Sequence, residues 1–472
     1  MDETYFFYRI NFLKVVRLMG YPIFATGIAM FIPFLASIFY GEYAVGPHYL
    51  AASIFSVALG GALLQIKKHR SMRYNEVIAT ICLSYLFTTC LSALAMLGSG
   101  FSIFDAFFEA VSGITTTGLS IIEDWESVPM TTFFARSWLQ WVGGLGIMLF
   151  SLAFMVYPGS IAKKMKEAQF EGNDLIGGSR ALARGVLQVY IILTLLSIAA
   201  FLATGMGISD TLIFAFTSVS TGGFAPYSDS IVGLSYWQQG IYIFFALACA
   251  VSLPFYYRIW KTQGMIALQG IQLVGIIVLA IATSIVLGGG FSALINALSV
   301  QTTTGFFVTD LTMLLPAQKI WISVMMLIGG GVGSTAGGFK VLRLILVFVA
   351  VKTYIIRLCQ TKSAHYSPGF FSIPVEQKML EMSMIYVILY IGLAICTWLA
   401  FVLYQFDPVD SLFAVSSALG TVGLSAGMVG GKLPVLLKLL LCVDMLAGRL
   451  EIIPWLIMLF PKNWIGEKLE VK

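Results

Sequence analysis

The sequence predicts an all-α polytopic membrane protein. Four pseudo-symmetric units of span, short pore helix and span surround one central ion pore, and two further helices precede them. Three observations carry this reading. Of 472 residues, 58% are hydrophobic and only 11% charged, with a mean hydropathy of +0.90, whereas a globular domain carries about a quarter charged residues. A short Thr/Gly phrase returns four times: Thr115-Thr116-Thr117-Gly118, Ser220-Thr221-Gly222, Thr302-Thr303-Thr304-Gly305 and Gly420-Thr421-Val422-Gly423. Lysine and arginine gather in alternate loops, as cytoplasmic loops require.

Residues 1–68 form the leading helix pair. Arg9, Lys14 and Arg17 precede an apolar run that ends at Tyr40, and no small-residue cleavage site follows it, so the first helix is expected to stay uncleaved. A second span from His48 to Ile66 ends in Lys67-Lys68-His69-Arg70 and Arg73, the strongest basic loop. The first helix therefore runs outward and the second returns.

Four units fill 69–185, 186–262, 263–375 and 376–472. The first has a span from Glu76 to Leu97, a short helix from Phe101 to Gly113, its phrase, and a span from Pro129 to Tyr157. Lys163, Lys164, Lys166, Arg180 and Arg184 follow on the cytoplasmic side. The second unit spans Val186 to Thr204, dips at Ser209 to Ser218 and spans Trp237 to Tyr257. The third spans Met265 to Leu287, dips at Phe291 to Val300 and resumes near Ala317. The fourth spans Met382 to Tyr404, dips at Asp407 to Leu419 and spans Pro434 to Phe460. The phrases are unevenly spaced, so the repeat is one of architecture and not of a solenoid.

The dips are too short to cross a bilayer and read as re-entrant or interfacial helices. Ser102 with Asp105, Ser209 with Asp210, Ser292, and Asp407 with Pro408 supply helix-start chemistry. A helix entering from outside points its carbonyl end into the membrane, where the macrodipole suits a cation. Irregular backbone at that depth survives only where protein or a wet path satisfies it. A ring of carbonyl and threonine oxygens can replace a cation's water, and glycine permits the angles that aim carbonyls inward. The candidate binding residues are Thr116, Thr117 and Gly118; Ser220, Thr221 and Gly222; Thr303, Thr304 and Gly305; and Thr421, Val422 and Gly423. The last three match the start of the potassium-channel filter sequence. Packing of small residues explains one such phrase, but hardly four in one relative position.

This topology places Asp105, Glu109, Glu123, Asp124, Glu126, Asp210, Asp229, Asp310, Asp407 and Asp410 outside, against Arg136, Lys319 and Lys432. Such acids form a cation-concentrating vestibule or simply solvated loops. The net charge of +5 follows from loop asymmetry and implies no nucleic-acid partner. The six cysteines have no metal spacing and read as free buried thiols, and three scattered histidines build no metal site.

Two features lie in the inner half. Gly329, Gly330, Gly331, Gly333, Gly337 and Gly338 interrupt what would be the second span of unit three. A nucleotide loop is excluded, because no β-strand pattern precedes it and Phe339 displaces the P-loop lysine. So many glycines break a helix around a flexible hinge, which suggests a gate; close helix packing is the alternative. The second feature is Arg449, mid-span, where an unpaired cation costs about 2.5–3.5 kcal/mol unless it faces a wet cavity. Pairing with Asp444 or Glu451 is the rival, at spacings that are not i, i+4.

Asp105 to Gly118, Trp138 to Ile147, Ser220 to Phe224, Gly329 to Lys340 and Leu446 to Pro454 resemble the Trk/Ktr/HKT superfamily of potassium transporters, and most the bacterial Trk-type uptake membrane subunit. The resemblance covers nearly the whole chain. It implies potassium uptake through four repeats around one pore per subunit, with the N-terminal pair marking the Trk branch. It further implies a homodimer in the lipid of a bacterial inner membrane, both termini cytoplasmic, and a cytoplasmic nucleotide-binding regulatory subunit. Nucleotide is expected only on that partner, with potassium as the sole bound ion. Gly329 to Gly338 falls on the family's gating loop and Arg449 on its pore arginine. Gly118 argues for potassium, since plant relatives with serine there favour sodium. No enzyme is expected, because the spans hold no nucleophile or acid–base cluster. No span carries the spaced arginines of a voltage sensor. A proton- or sodium-coupled symporter of the same superfamily remains the alternative.

Overall fold

The computed structural model describes residues 9–67, 73–156, 177–256, 267–359, 368–370 and 373–465. Lys68, His69, Arg70, Lys163, Lys164 and Lys166 of the basic loops lie outside the described residues. The fold is helical, apart from a two-residue antiparallel ladder in which Gly369–Phe370 (β1) pairs with Ile373–Pro374 (β2).

The N-terminal pair is α1 (Phe12–Phe39) and α2 (Gly46–Leu64). Small residues let these helices touch backbone to backbone: a Cβ added to Gly60 would sit 2.8 Å from the Cα of Phe24. The pair lies against unit one, which comprises α3 (Tyr74–Met96), α4 (Ile103–Ile114) and α5 (Met130–Val156). Thr26 and Thr88 share a hydrogen bond of 3.0 Å, and Trp138 donates to the Ala29 carbonyl at 2.9 Å.

Unit two comprises α6 (Gly177–Ala203), α7 (Ile208–Ser220) and α8 (Tyr236–Ala250). Unit three comprises α9 (Ala267–Val286), α10 (Gly290–Gln301), α11 (Pro316–Ile328) and α12 (Val341–Cys359). Unit four comprises α13 (Gln377–Leu403), α14 (Pro408–Leu419), α15 (Val435–Leu450) and α16 (Ile452–Leu459), and the short α17 (Lys462–Ile465) follows. α15 packs back on α4, which closes the four units into a ring.

Four expectations change. The span from Pro434 to Phe460 is broken at Glu451, whose φ of 67° lies in the left-handed region that no helix continues through. The span from Trp237 ends at Ala250, where Val251 turns extended. Ser102 and Asp407 cap their helices through their side chains, but α7 and α10 start at Gly207 and Gly289 without side-chain caps. Cys82, Cys249 and Cys442 are buried, while Cys90, Cys359 and Cys396 are exposed on helix surfaces. Five described helices are long and apolar enough to cross a membrane on their own.

Candidate functional site

Each pore helix ends in the same way. Thr116 N–H donates to Gly113, Thr221 to Ser218, Thr303 to Val300 and Thr421 to Ala418, at 3.0–3.2 Å. One residue on, Thr117 N–H donates to Ser112, Gly222 to Thr217, Thr304 to Ser299 and Val422 to Ser417, at 2.8–2.9 Å. This bond pair is the Schellman helix stop, whose left-handed residue is usually glycine. Here it is threonine four times, with φ of 52°, 53°, 55° and 49° at Thr116, Thr221, Thr303 and Thr421. A β-branched residue in that region costs about 1–3 kcal/mol. Four like outliers at equivalent helix ends mark a candidate site.

The bonds also set the register. Thr115, Ser220, Thr302 and Gly420 are equivalent, as are Thr117, Gly222, Thr304 and Val422. The glycines that follow are Gly118, Gly223, Gly305 and Gly423, all with φ between 74° and 94°. Gly223, not Gly222, therefore stands with Gly118. Two glycines in a row, Gly222-Gly223, put the second phrase one residue out of step with the sequence alignment on Gly222.

The four phrases close on one another. A Cβ on Gly118 would strike the Gly222 carbonyl oxygen, one on Gly223 that of Thr304, one on Gly305 that of Val422 and one on Gly423 that of Thr117. Each glycine thus backs onto its neighbour's carbonyl, in the order one, two, three, four and back to one. Behind the ring, Gln140 grips the second strand, donating to the Gly222 carbonyl and accepting from Phe224 N–H at 3.2 Å. In units one and three a hydroxyl pair stiffens the phrase: Thr115 with Thr117 at 2.8 Å and Thr302 with Thr304 at 2.6 Å.

The glycine-rich segment folds back beneath this ring. Its neck is closed by Phe339 N–H to Leu327 (2.9 Å) and Lys340 N–H to Ile328 (2.8 Å). Its tip touches three units. Gly337 N–H donates to the Thr303 hydroxyl at 2.7 Å, and the Thr335 hydroxyl lies 3.2 Å from that of Thr221. A side chain on Gly337 would collide with the Thr421 hydroxyl and the Gly420 carbonyl, so only glycine fits there. Gly329 and Gly338 meet at the neck; Gly330 and Gly331 pack near Ala250, and Gly333 accepts from Leu253 N–H at 3.1 Å.

Arg449 is buried and donates through Nη1 to the Thr335 carbonyl at 2.5 Å. Its rival partners are engaged elsewhere: Asp444 accepts from the Thr397 hydroxyl at 3.0 Å, and Glu451 pairs with Arg343 at 2.7 Å. Arg449 therefore holds the loop rather than a carboxylate.

The outer acids are less free than the sequence reading had them. Asp105 pairs with Lys438 at 2.6 Å and Asp410 with Lys319 at 2.7 Å, each across a boundary between units. Lys438 stands at the same end of the molecule as Asp105, because α15 starts only at Val435. Glu109 and Arg136 are fully buried and paired at 2.8 Å, so neither is a solvated loop charge. In the loop after the second phrase, partial burial and then the Asp210 carboxylate, which accepts its hydroxyl at 2.8 Å, push the half-exposed Tyr227 up to about 12. That phenol stays a donor at neutral pH. The sequence reading missed Gln140, although polar Arg136 and Gln140 one turn apart in an apolar span signal a buried, inward face.

The sequence profile of a family described as "TrkH: Cation transport protein" matches residues 46–273 and 276–465. An uncharacterised cation transporter of Methanocaldococcus jannaschii is 26% identical over 455 residues, covering 94% of each chain. The Trk system potassium uptake protein TrkH of Vibrio parahaemolyticus is 27% identical over 497 residues, covering 96% of this chain and 100% of that one. The crystal structure of the potassium transporter TrkH from the same species superposes with a TM-score of 0.84 at 23% identity, over 96% of this chain, a likeness of fold. The ring of helices is thus that of a multi-pass transporter, and the chain belongs to the TrkH family of cation transport proteins.

Proposed function

We propose that this protein is the membrane subunit of a Trk-type potassium uptake system. Dehydrated potassium is the substrate, passing through the ring formed by the four phrases, with the glycine-rich loop and Arg449 as the gate. The carrying observation is the cyclic closure of four glycines on four neighbouring carbonyls beside four left-handed threonines. Two of those threonine hydroxyls, on Thr116 and Thr421, are buried without a hydrogen-bond partner among the described residues. Orphaned oxygens at that depth suit a cation, because an unmet acceptor in a low dielectric is costly. The substrate follows from relatives titled potassium uptake proteins.

On this reading each of two subunits carries its own pore, in a bacterial cytoplasmic membrane with both termini inside. A cytoplasmic nucleotide-binding partner acts on the loop through α12. Potassium and rubidium uptake into proteoliposomes, with and without a proton gradient, tests the reading. Saturable potassium uptake indifferent to the gradient is expected. Uptake that requires the gradient supports a coupled symporter, and no uptake of either ion overturns the proposal.

Arg449→Ala should raise potassium flux. The substitution removes a cation from a low-dielectric path and one charge-assisted bond to the loop, which contributes about 1.5–3 kcal/mol. Resting flux should rise roughly tenfold or more. Expression should hold, since no carboxylate among the described residues pairs with Arg449. Reduced flux from a well-folded variant would count against a closing role.

A further inference from the structure

We propose that Glu109, Arg136 and Phe224 form a positioning brace that fixes the first and second phrases against each other, and so helps decide which cation the ring accepts. This deepens the filter reading and rests on it. The contacts start immediately beyond the ring. Glu109 Oε1 accepts from the Ile121 N–H and the Ser120 hydroxyl, both at 2.8 Å, which anchors the chain leaving Gly118. Its Oε2 meets Arg136 Nε at 2.8 Å. The Arg136 guanidinium lies 3.8 Å from the ring centroid of Phe224, the residue that follows Gly223. One chain of contacts therefore runs from the outer end of the first strand to the outer end of the second.

Both charged side chains are fully buried, and Trp125 and Phe133 close the guanidinium's other sides at 5.7 and 5.8 Å. Arg136 Nη1 and Nη2 have no hydrogen-bond acceptor among the described residues, and the aromatic faces around the guanidinium supply cation–π contacts instead. A charge buried this completely is tied to its partner's position, because the low dielectric screens their interaction weakly.

The other units do not repeat it. Counting back from each left-handed threonine, Asn296, Phe214 and Ala414 stand where Glu109 does. Asn296 keeps the anchor alone, accepting from Val308 N–H at 2.9 Å. Counting from the first turn of each second span, Tyr242, Ile322 and Leu441 stand where Arg136 does. Tyr242 packs against Phe306, the ring centroids 4.1 Å apart and the planes tilted by 56°, an uncharged version of the same grip. The ring is fourfold in backbone, yet its charged brace lies at one boundary, between units one and two. That boundary also carries Gln140 on the Gly222 carbonyl, one turn beyond Arg136.

The test is the ratio of potassium to sodium uptake by the full chain in proteoliposomes, for wild type, Glu109→Gln, Arg136→Gln, the double variant and Phe224→Leu. Each single variant should lower the ratio by about threefold or more, chiefly by admitting sodium. The double variant should recover part of the loss, because it leaves no unpaired buried charge. Phe224→Leu keeps the ion pair and reads the brace even if the charge variants fail to fold. Equal loss of both uptakes at an unchanged ratio in Phe224→Leu overturns the brace and leaves a structural role. A wild type that does not discriminate overturns the filter reading itself, and with it this inference.

Discussion

Gly118→Ser is expected to fold, reach the membrane and lose discrimination between potassium and sodium. The reason is geometric. Gly118 has a φ of 90°, a conformation that side-chain-bearing residues rarely adopt. Its missing Cβ would land on the Gly222 carbonyl oxygen and 3.1 Å from the Gly223 Cα. Neither obstacle is a flexible side chain, so the ring itself must shift. A fall of about tenfold in the permeability ratio corresponds to about 1.4 kcal/mol, within what one strained residue supplies. Tracer uptake of both ions measures it.

The second unit separates two registers. Gly223→Ser should act like Gly118→Ser, since its Cβ meets the Thr304 carbonyl. Gly222→Ser should be milder, because its Cβ meets the Gln140 side chain, and Thr117, Thr304 and Val422 already carry side chains at that position. If Gly222→Ser proved the worse of the two, the ring order deduced from the backbone would be wrong.

The fold was legible because its signals are periodic and redundant. Apolar runs, basic loops and a phrase repeated four times each point to the same ring of units, and α4, α7, α10 and α14 sit where the short apolar dips lie. What stayed hidden depends on direction and not on composition. Nothing in Ser220-Thr221-Gly222-Gly223 tells which glycine aligns with Gly118, because only the backbone angle of Thr221 does. Glu109 and Arg136 were counted with the outer charges because sequence gives depth along a helix but not which face turns inward. Glu451 could be read as a partner of Arg449 because the helix break at Glu451, which sends it to Arg343, leaves no mark in the hydropathy.

Deleting Gly330 to Gly337 should leave a selective but leaky pore that ignores any cytoplasmic regulator. The cut is mild for the rest of the fold, because Gly329 and Gly338 already touch: a Cβ on Gly338 would sit 2.7 Å from the Gly329 Cα. The neck bonds from Phe339 and Lys340 to α11 lie outside the cut. What disappears is the tip, held against the ring and its arginine by Gly337 to Thr303, Thr221 to Thr335 and Arg449 to Thr335, and against unit two and α9 by bonds to Cys249, Ala250, Leu253 and Gln272. Neutral bonds at about 0.5–1.5 kcal/mol each, with the charge-assisted Arg449 bond at about 1.5–3 kcal/mol, bias the loop toward its seat by a few kcal/mol or more. Their loss should raise resting potassium flux roughly ten- to a thousandfold. The ring keeps its own Schellman stops and inter-unit carbonyl contacts, so the potassium-to-sodium ratio should change less than in Gly118→Ser. Flux assays of the deletion, with and without the proposed regulatory partner, measure both effects. A deletion protein that stays shut at rest and still responds to its partner would make the loop a packing element, and Arg449 a residue that merely caps it.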